Sequence, residues 1–293
     1  MCIVALKHFK NDGWVGVKNR DRNYYPTIFI KQSFRDNIER LFIWDDKTKY
    51  AEGLNEHGVS ILNSAMAVAH DEDEGKEAEQ KKKEKSNFYS PEGKIIRRAL
   101  LEKSVKNALE SCIEDKLPGN TICWDAETAY LMEASFKDDK YIHKYEKIEP
   151  KDTAVRTNHG IWLDWAGYHF KEGDKSSLIP TKSSRERLKI VRKDIVKVEH
   201  ATDMLDCISD FSTHKNPQLN PLRVDEKEEA MRSTGQIMII PSHKMLYYRP
   251  IWCEVEFDFN KLDSPETKTF FQILSSQPVL YKSKTQRRGS IIL

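Results

Sequence analysis

Cys2 stands directly behind Met1. Removal of an initiator methionine before a small residue leaves a thiol and a free α-amine on one residue. An ordinary thiol titrates at about 8.5 and an α-amine at about 7.7–8.0. Around neutral pH such an amine can accept the thiol proton, directly or through a water, and so activate its own nucleophile without a histidine. The plainer reading of a cysteine at this position is the start of a strand. Cys112, Cys123, Cys207 and Cys253 sit among apolar residues and read as small buried hydrophobes. The odd total of five, the wide spacing and the lack of a CxxC pair argue against a disulfide framework or a thiolate zinc site. The nine histidines show no HExxH spacing.

Three further clusters carry chemistry-bearing types. Lys18-Asn19-Arg20-Asp21-Arg22 follows an apolar run. A carboxylate there can hold an α-amine through a charge-assisted hydrogen bond, and a cation can favour a thiolate. It also reads as a polar strand end with mutual ion pairs. Arg156-Thr157-Asn158-His159-Gly160 offers an asparagine N–H for a developing oxyanion, or a turn using Asn and Gly for positive φ. Ser183-Ser184-Arg185-Glu186-Arg187-Leu188 reads either as a capped helix with a solvated charged face or as a helix that aims Arg185 into a cleft.

The elements that must position these residues divide into strands at both ends and helices between. Residues 2–9, 13–18, 26–31 and 39–44 are short, β-branched and aromatic, and Asp, Asn, Gly and Pro punctuate them. Residues 53–58 (GLNEHG) read as a turn, followed by an apolar run from Val59 to Ala69. Residues 70–88 hold an acidic block and then a basic one, which suggests a solvated surface insertion. Ser90-Pro91 opens a helix, Ser104 caps a second, and Pro118-Gly119 stops it. Strands are expected at 120–125, 128–134, 140–147 and 153–157, helices at 183–198 and 201–209, then strands at 235–240, 244–248 and 251–258. This order predicts an α+β protein with largely antiparallel sheets rather than βαβ units. Residues 1–281 are expected to form one domain, with 282–293 a basic, flexible tail.

These clusters, in this order, resemble the choloylglycine hydrolase and penicillin V acylase group of N-terminal-nucleophile (Ntn) hydrolases. The chain is most similar to their linear-amide and acyl-coenzyme A:6-aminopenicillanic acid acyltransferase-like branch. The resemblance starts with Cys2 and continues through Gly16 to Asp21, similar to a GRNxD-type segment. It then takes in Gly53-Leu54-Asn55-Glu56-His57-Gly58-Val59 (similar to GMNEKGL), the helical pair around Ile96–Glu102 and Val105–Leu109, and Asn120 to Glu133. Thr157-Asn158-His159 and Ser184-Arg185 complete it. The group usually has Arg where this chain has Lys18, which lacks the planar fork. Arg20 or Arg22 would substitute in a shifted register. Asn19-Arg20-Asp21 behind an initial Met-Cys also resembles the NRDE-type proteins, which implies an alternative: a non-catalytic acyl- or lipid-binding protein of the same fold. A glutamine amidotransferase-like role is weaker, because the MCGI-type start is absent.

The resemblance implies a four-layer αββα sandwich, two mostly antiparallel sheets between helical layers, and acyl transfer from a linear, non-peptide carbon–nitrogen amide bond. Cys2 would be the nucleophile and its α-amine the base. Asp21 would orient the amine, Asn158 would meet the oxyanion, and Lys18 and Arg185 would shape the field. Asn63 is the nearest match for a second oxyanion donor, with Arg20 and His159 as substrate-side candidates. Neither a metal nor an organic cofactor is implied, and the partner would be a small-molecule acyl amide.

Composition sets the bounds. Hydrophobic residues make up 39% and charged residues 32% of 293, at net charge +2, which supports a buried core and gives no basic excess for nucleic acid. No apolar run approaches the ~18 residues of a membrane span, and the first residues lack a signal-peptide pattern. A cytoplasmic protein is therefore expected, with self-association left open.

Overall fold

The structure, a computed structural model, describes residues 2–66, 91–167, 178–225, 230–259 and 272–275. Two sheets lie between helical layers. The first, of six strands, has the order β10-β1-β2-β11-β12-β14, built from Thr153–Arg156, Ile3–Phe9, Gly13–Arg22, Arg232–Ile240, Met245–Pro250 and Gln272–Ser275. The second, of eight, has the order β13-β3-β4-β5-β6-β7-β8-β9. Its strands are Glu254–Phe259, Thr27–Arg35, Ile38–Asp45, Ala51–Asn55, Ser60–Ser64, Gly119–Trp124, Ala129–Lys137 and Lys140–Lys147. All neighbours pair antiparallel except β12 with β14 and β13 with β3, which run parallel.

The period of two in the sequence explains the layering. Val4, Leu6 and Trp14 point inward with Ile237 and Ile239, against Leu41, Ile43, Leu62 and Ile122 of the other sheet. Their neighbours Ile3, Ala5, Val15 and Val17 point outward onto Leu188, Val191 and Ile195. Those three belong to α3 (Leu178–Ile195). Phe42, Ile61, Cys123 and Met132, on the outer face of the eight-stranded sheet, pack under α1 (Pro91–Ala99) and α2 (Val105–Glu114). The result is the αββα sandwich. Cys112, Cys123 and Cys207 are core residues, and Cys253 is partly buried against the central layer.

Several boundaries differ from the sequence reading. Strand β2 runs on to Arg22, so the charged cluster lies within the strand and not at its end. The segment read as a turn from Gly53 begins as strand β5, and the turn is confined to Asn55–Gly58. Gly53 serves the close approach of β4, because a Cβ there would lie 2.1 Å from Leu41 O. Residues 201–208 form a 3₁₀ helix. Strand β14 was not expected at all. Ser104 caps α2 as predicted, accepting from Asn107 N at 3.3 Å. Ser90, the whole of the insertion's 70–88 stretch and the tail lie outside the described residues.

Candidate active site

Strand β2 sorts its charges by parity. Lys18, Arg20 and Arg22 share the face of Trp14, between the sheets. Asn19 and Asp21 share the face of Val15 and Val17, toward α3. All of them except Arg22 are fully buried. β1 pairs with β2 so that Ile3 faces Asn19. One step on, Cys2 therefore lies beside Arg20, next to Asp21.

The inter-sheet face meets carboxylates from the eight-stranded sheet. Lys18 Nζ donates to Glu52 Oε1 and to Asn63 O, 4.9 Å from the centre of the Tyr50 ring. Arg20 Nη2 and Arg22 Nε both donate to Asp45 Oδ2, at 3.3 and 3.0 Å, and Tyr24 OH joins them at 2.9 Å. The other carboxylate oxygen accepts Lys47 N and Thr48 N. Arg22 Nη1 then reaches Cys2 Sγ at 3.9 Å. Cys2 itself is 5% exposed. Burial alone would raise its thiol pKa, but Lys18, then the positive terminal amine of the chain and Arg22 outweigh it, and the thiol is lowered to about 7. The thiols of Cys207 and Cys253, by contrast, are pushed up by burial to about 12 and about 11.

The opposite face ties Asp21 to the last third of the chain. Asp21 Oδ2 accepts Arg187 Nη1 at 3.0 Å and lies 3.7 Å from Arg223 Nη1, while Oδ1 accepts Ser233 Oγ at 2.7 Å. Arg187 also donates from Nη2 to Asn158 Oδ1 at 3.2 Å. Its charge is held there at a cost, since burial and then Arg223 pull its pKa down. One guanidinium thus joins the candidate aspartate to the candidate oxyanion residue.

Asn158 sits in a braced loop. Its N–H donates to Ser184 Oγ at 3.1 Å, and Nδ2 donates to Ser64 Oγ at 3.1 Å and Ala65 O at 2.6 Å. Ser64 Oγ in turn lies 3.4 Å from Cys2 O. His159 Nδ1 contacts Ser184 Oγ at 2.6 Å and Thr157 Oγ1 at 3.0 Å. Burial, followed by Arg185, lowers its pKa to about 4, so it is neutral at ordinary pH. Asn120 Nδ2 holds the carbonyls of Thr157 and His159, at 2.9 and 3.1 Å. Glu133 accepts Arg156 Nε at 2.8 Å and the N–H groups of Ile161, Trp162 and Leu163.

The structure gathers Cys2, Lys18, Arg20, Asp21 and Asn158 around the ends of β1 and β2. Two expectations need correction. Arg185 is not the buried arginine of this helix. It is exposed on α3, while Arg187 is buried. Helical phase is the reason: Ser184, Arg187, Leu188 and Val191 share the inward stripe, and Arg185 is one step off it. Asn63 does not face the thiol as a donor. Its Nδ2 serves Pro118 O at 3.1 Å and Thr121 Oγ1 at 2.8 Å, and its Oδ1 accepts from Tyr50 OH. Asn63 therefore braces Lys18, Glu52 and Tyr50 from behind. The neighbouring Gly119 (φ +114°) leaves the room, because a Cβ there would lie 2.8 Å from Asn63 Nδ2.

Sequence reasoning missed Asp45, Glu52, Tyr50, Ser64, Arg187, Arg223 and Ser233. Period two in β2 flags Arg22 beside Lys18 and Arg20, and helical phase flags Arg187. No local pattern marks Arg223 or Asp45.

No protein-family model matches the chain, and no curated protein sequence does either. Solved structures do. A Caenorhabditis elegans N-acylethanolamine-hydrolyzing acid amidase ortholog matches at TM-score 0.49 and 10% identity, over 82% of this chain and 93% of that one. Penicillin V acylase from Agrobacterium tumefaciens matches at 0.40 and 11%, over 85% and 86%. The C2A mutant of conjugated bile acid hydrolase from Clostridium perfringens matches at 0.44 and 11%, over 85% and 89%.

Proposed function

We propose that the chain is a cysteine N-terminal-nucleophile amidohydrolase or acyltransferase acting on a small-molecule linear amide. The observation that carries this reading is the lowered thiol of Cys2, set at the strand ends between the Lys18–Glu52 pair and the Arg22 guanidinium. In the mature enzyme Cys2 is the first residue. Its α-amine accepts the thiol proton and Sγ adds to the amide carbonyl carbon. The carbon–nitrogen bond then breaks, and the departing amine takes that proton. Water or another acceptor cleaves the thioester, releasing the acyl group and restoring the thiol.

Asp21 sits beside the position of that amine in the β1–β2 register, and Arg187 and Arg223 hold its carboxylate in place. The oxyanion is met by Asn158 Nδ2 once the substrate's carbonyl oxygen displaces one of its present acceptors, Ser64 Oγ or Ala65 O. Lys18 supplies the field, and Glu52 fixes where its ammonium sits.

The test combines two measurements. Intact-mass analysis of the purified protein should show loss of Met1, and a thiol-reactive acyl probe should label the wild type but not Cys2→Ala. A functional protein that retains Met1, or equal labelling of the Cys2→Ala variant, would reject a catalytic role and leave an acyl-binding protein of this fold. Incubation with an amide library, reading released amines by mass spectrometry, identifies the substrate.

A further inference from the structure

Strand β9 (Lys140–Lys147) is the outer strand of the eight-stranded sheet. Among the described residues it pairs with β8 alone. A two-residue turn joins them, with Asp138 and Asp139 at φ 49° and 58°. The strand lies open to solvent: Lys144, Tyr145, Glu146 and Lys147 are exposed, Tyr145 at 53%. One face carries an aromatic ladder. Phe136 meets Tyr141 at 5.4 Å, Tyr141 stacks on His143 at 5.6 Å, and His143 stacks on Tyr145 at 6.4 Å with planes 8° apart. Beside the strand's second half lies a groove of about 420 Å³ lined by His143, Lys144, Tyr145, Glu146 and Trp162.

An open edge with exposed aromatics is a template for pairing, and lysines are a usual defence against it. Here the charges defend selectively. For a strand to pair antiparallel with its own copy, the two-fold axis must pass through a residue and not between two. Facing residues share both their hydrogen-bonding class and their side-chain face. An axis through Lys144 sets that lysine against itself. An axis through Ile142 sets Lys140 against Lys144 and Asp138 against Glu146. An axis through His143 sets Lys140 against Glu146, Asp139 against Lys147 and Tyr141 against Tyr145, each pair occurring twice. That register opposes every strand-end charge with its opposite and continues the aromatic ladder across the seam. It also lays the Lys144 stem on Ile142, and it brings the partner's acidic turn to the lysine end of the groove.

We propose that β9 is a docking surface for a second copy of this chain, joined antiparallel about a two-fold axis at His143, so that the two eight-stranded sheets become one. The joined edge lies on the strand next to β8, whose Glu133 holds the Asn158 loop.

Sedimentation velocity on the full chain across a concentration series tests this. The wild type should dimerise. Lys140→Glu and Glu146→Lys should each raise the dimer dissociation constant by about tenfold, because each change places like charges in contact twice. The double variant Lys140→Glu/Glu146→Lys should restore it. Both positions of change are solvent-facing, and thermal melting of each of the three variants confirms an intact fold. A wild type that stays monomeric at every concentration overturns the proposal. So does a dimer that ignores both single changes, or a double variant as weak as the singles.

Discussion

The two faces of strand β2 carry the same kind of cluster and use it differently. Toward the second sheet, Asp45 is shared by Arg20 and Arg22. Toward α3, Asp21 is shared by Arg187 and Arg223. Each cluster sets two guanidiniums on one carboxylate. The Asp45 cluster has outlets: two backbone N–H groups and Tyr24 also serve its carboxylate, and Arg22 is 14% exposed at its side chain. The Asp21 cluster has one further donor, Ser233 Oγ, and no solvent contact, since Asp21, Arg187 and Arg223 are all wholly buried. The difference shows that a shared carboxylate can either set a field at a reactive atom or clamp distant segments together. Partial solvent contact separates the two uses.

The largest expected effect tests the thiol that the first cluster serves. Cys2→Ala should reduce turnover by on the order of 10⁶ in kcat, with the melting temperature nearly unchanged. Next is the sealed cluster. Asp21→Asn leaves two buried guanidiniums without their carboxylate and should cost roughly 3–5 kcal/mol in chemical denaturation. Asp45→Asn keeps an oxygen for Lys47 N and Thr48 N and leaves Arg22 access to water, so roughly 1–3 kcal/mol is expected. Equal costs for these two variants would break the contrast between open and sealed clusters.

The pH dependence sharpens the electrostatic side. The Cys2 thiol is lowered by folding from the ordinary thiol value to about 7. The stability this lends is complete above the ordinary value and is lost as pH falls through about 7. Alkylation of Cys2 by iodoacetamide should therefore rise with pH around a midpoint of about 7. In Lys18→Met the midpoint should move upward, and an unmoved midpoint would remove Lys18 from the field. The smallest effect is expected at Arg185→Ala, within about 0.5 kcal/mol of wild type by denaturation, because that side chain is exposed on α3.

Much of the fold was legible because period two is a local signal. The alternation of Cys2 to Phe9 and Gly13 to Val17 gave the first two strands and their two faces. Ser104 announced α2 because a cap needs only a side chain and an N–H three residues on. Gly53 misled, because a glycine where two backbones approach closely looks like a turn from the sequence alone. Asp21 and Asn158 could be singled out by the resemblance, and in the structure Arg187 bridges the two. Arg185 was chosen where Arg187 does the reaching, an error of helical phase by two residues. Asp45, Glu52 and Arg223 had no sequence signal, because their meaning depends on which strand or loop lies across the interior. Pairings separated by more than twenty residues leave no trace in spacing.

Glu133 has a consequence for when the site is assembled. Its carboxylate collects three successive backbone N–H groups and a guanidinium, so the segment bearing Asn158 is bolted to β8 as the chain folds. The asparagine then waits in a fixed orientation, and the reorganisation entropy is spent in folding and not in each turnover. On the proposed amidase reading, an incoming amide would meet a rigid anvil instead of having to gather one around itself.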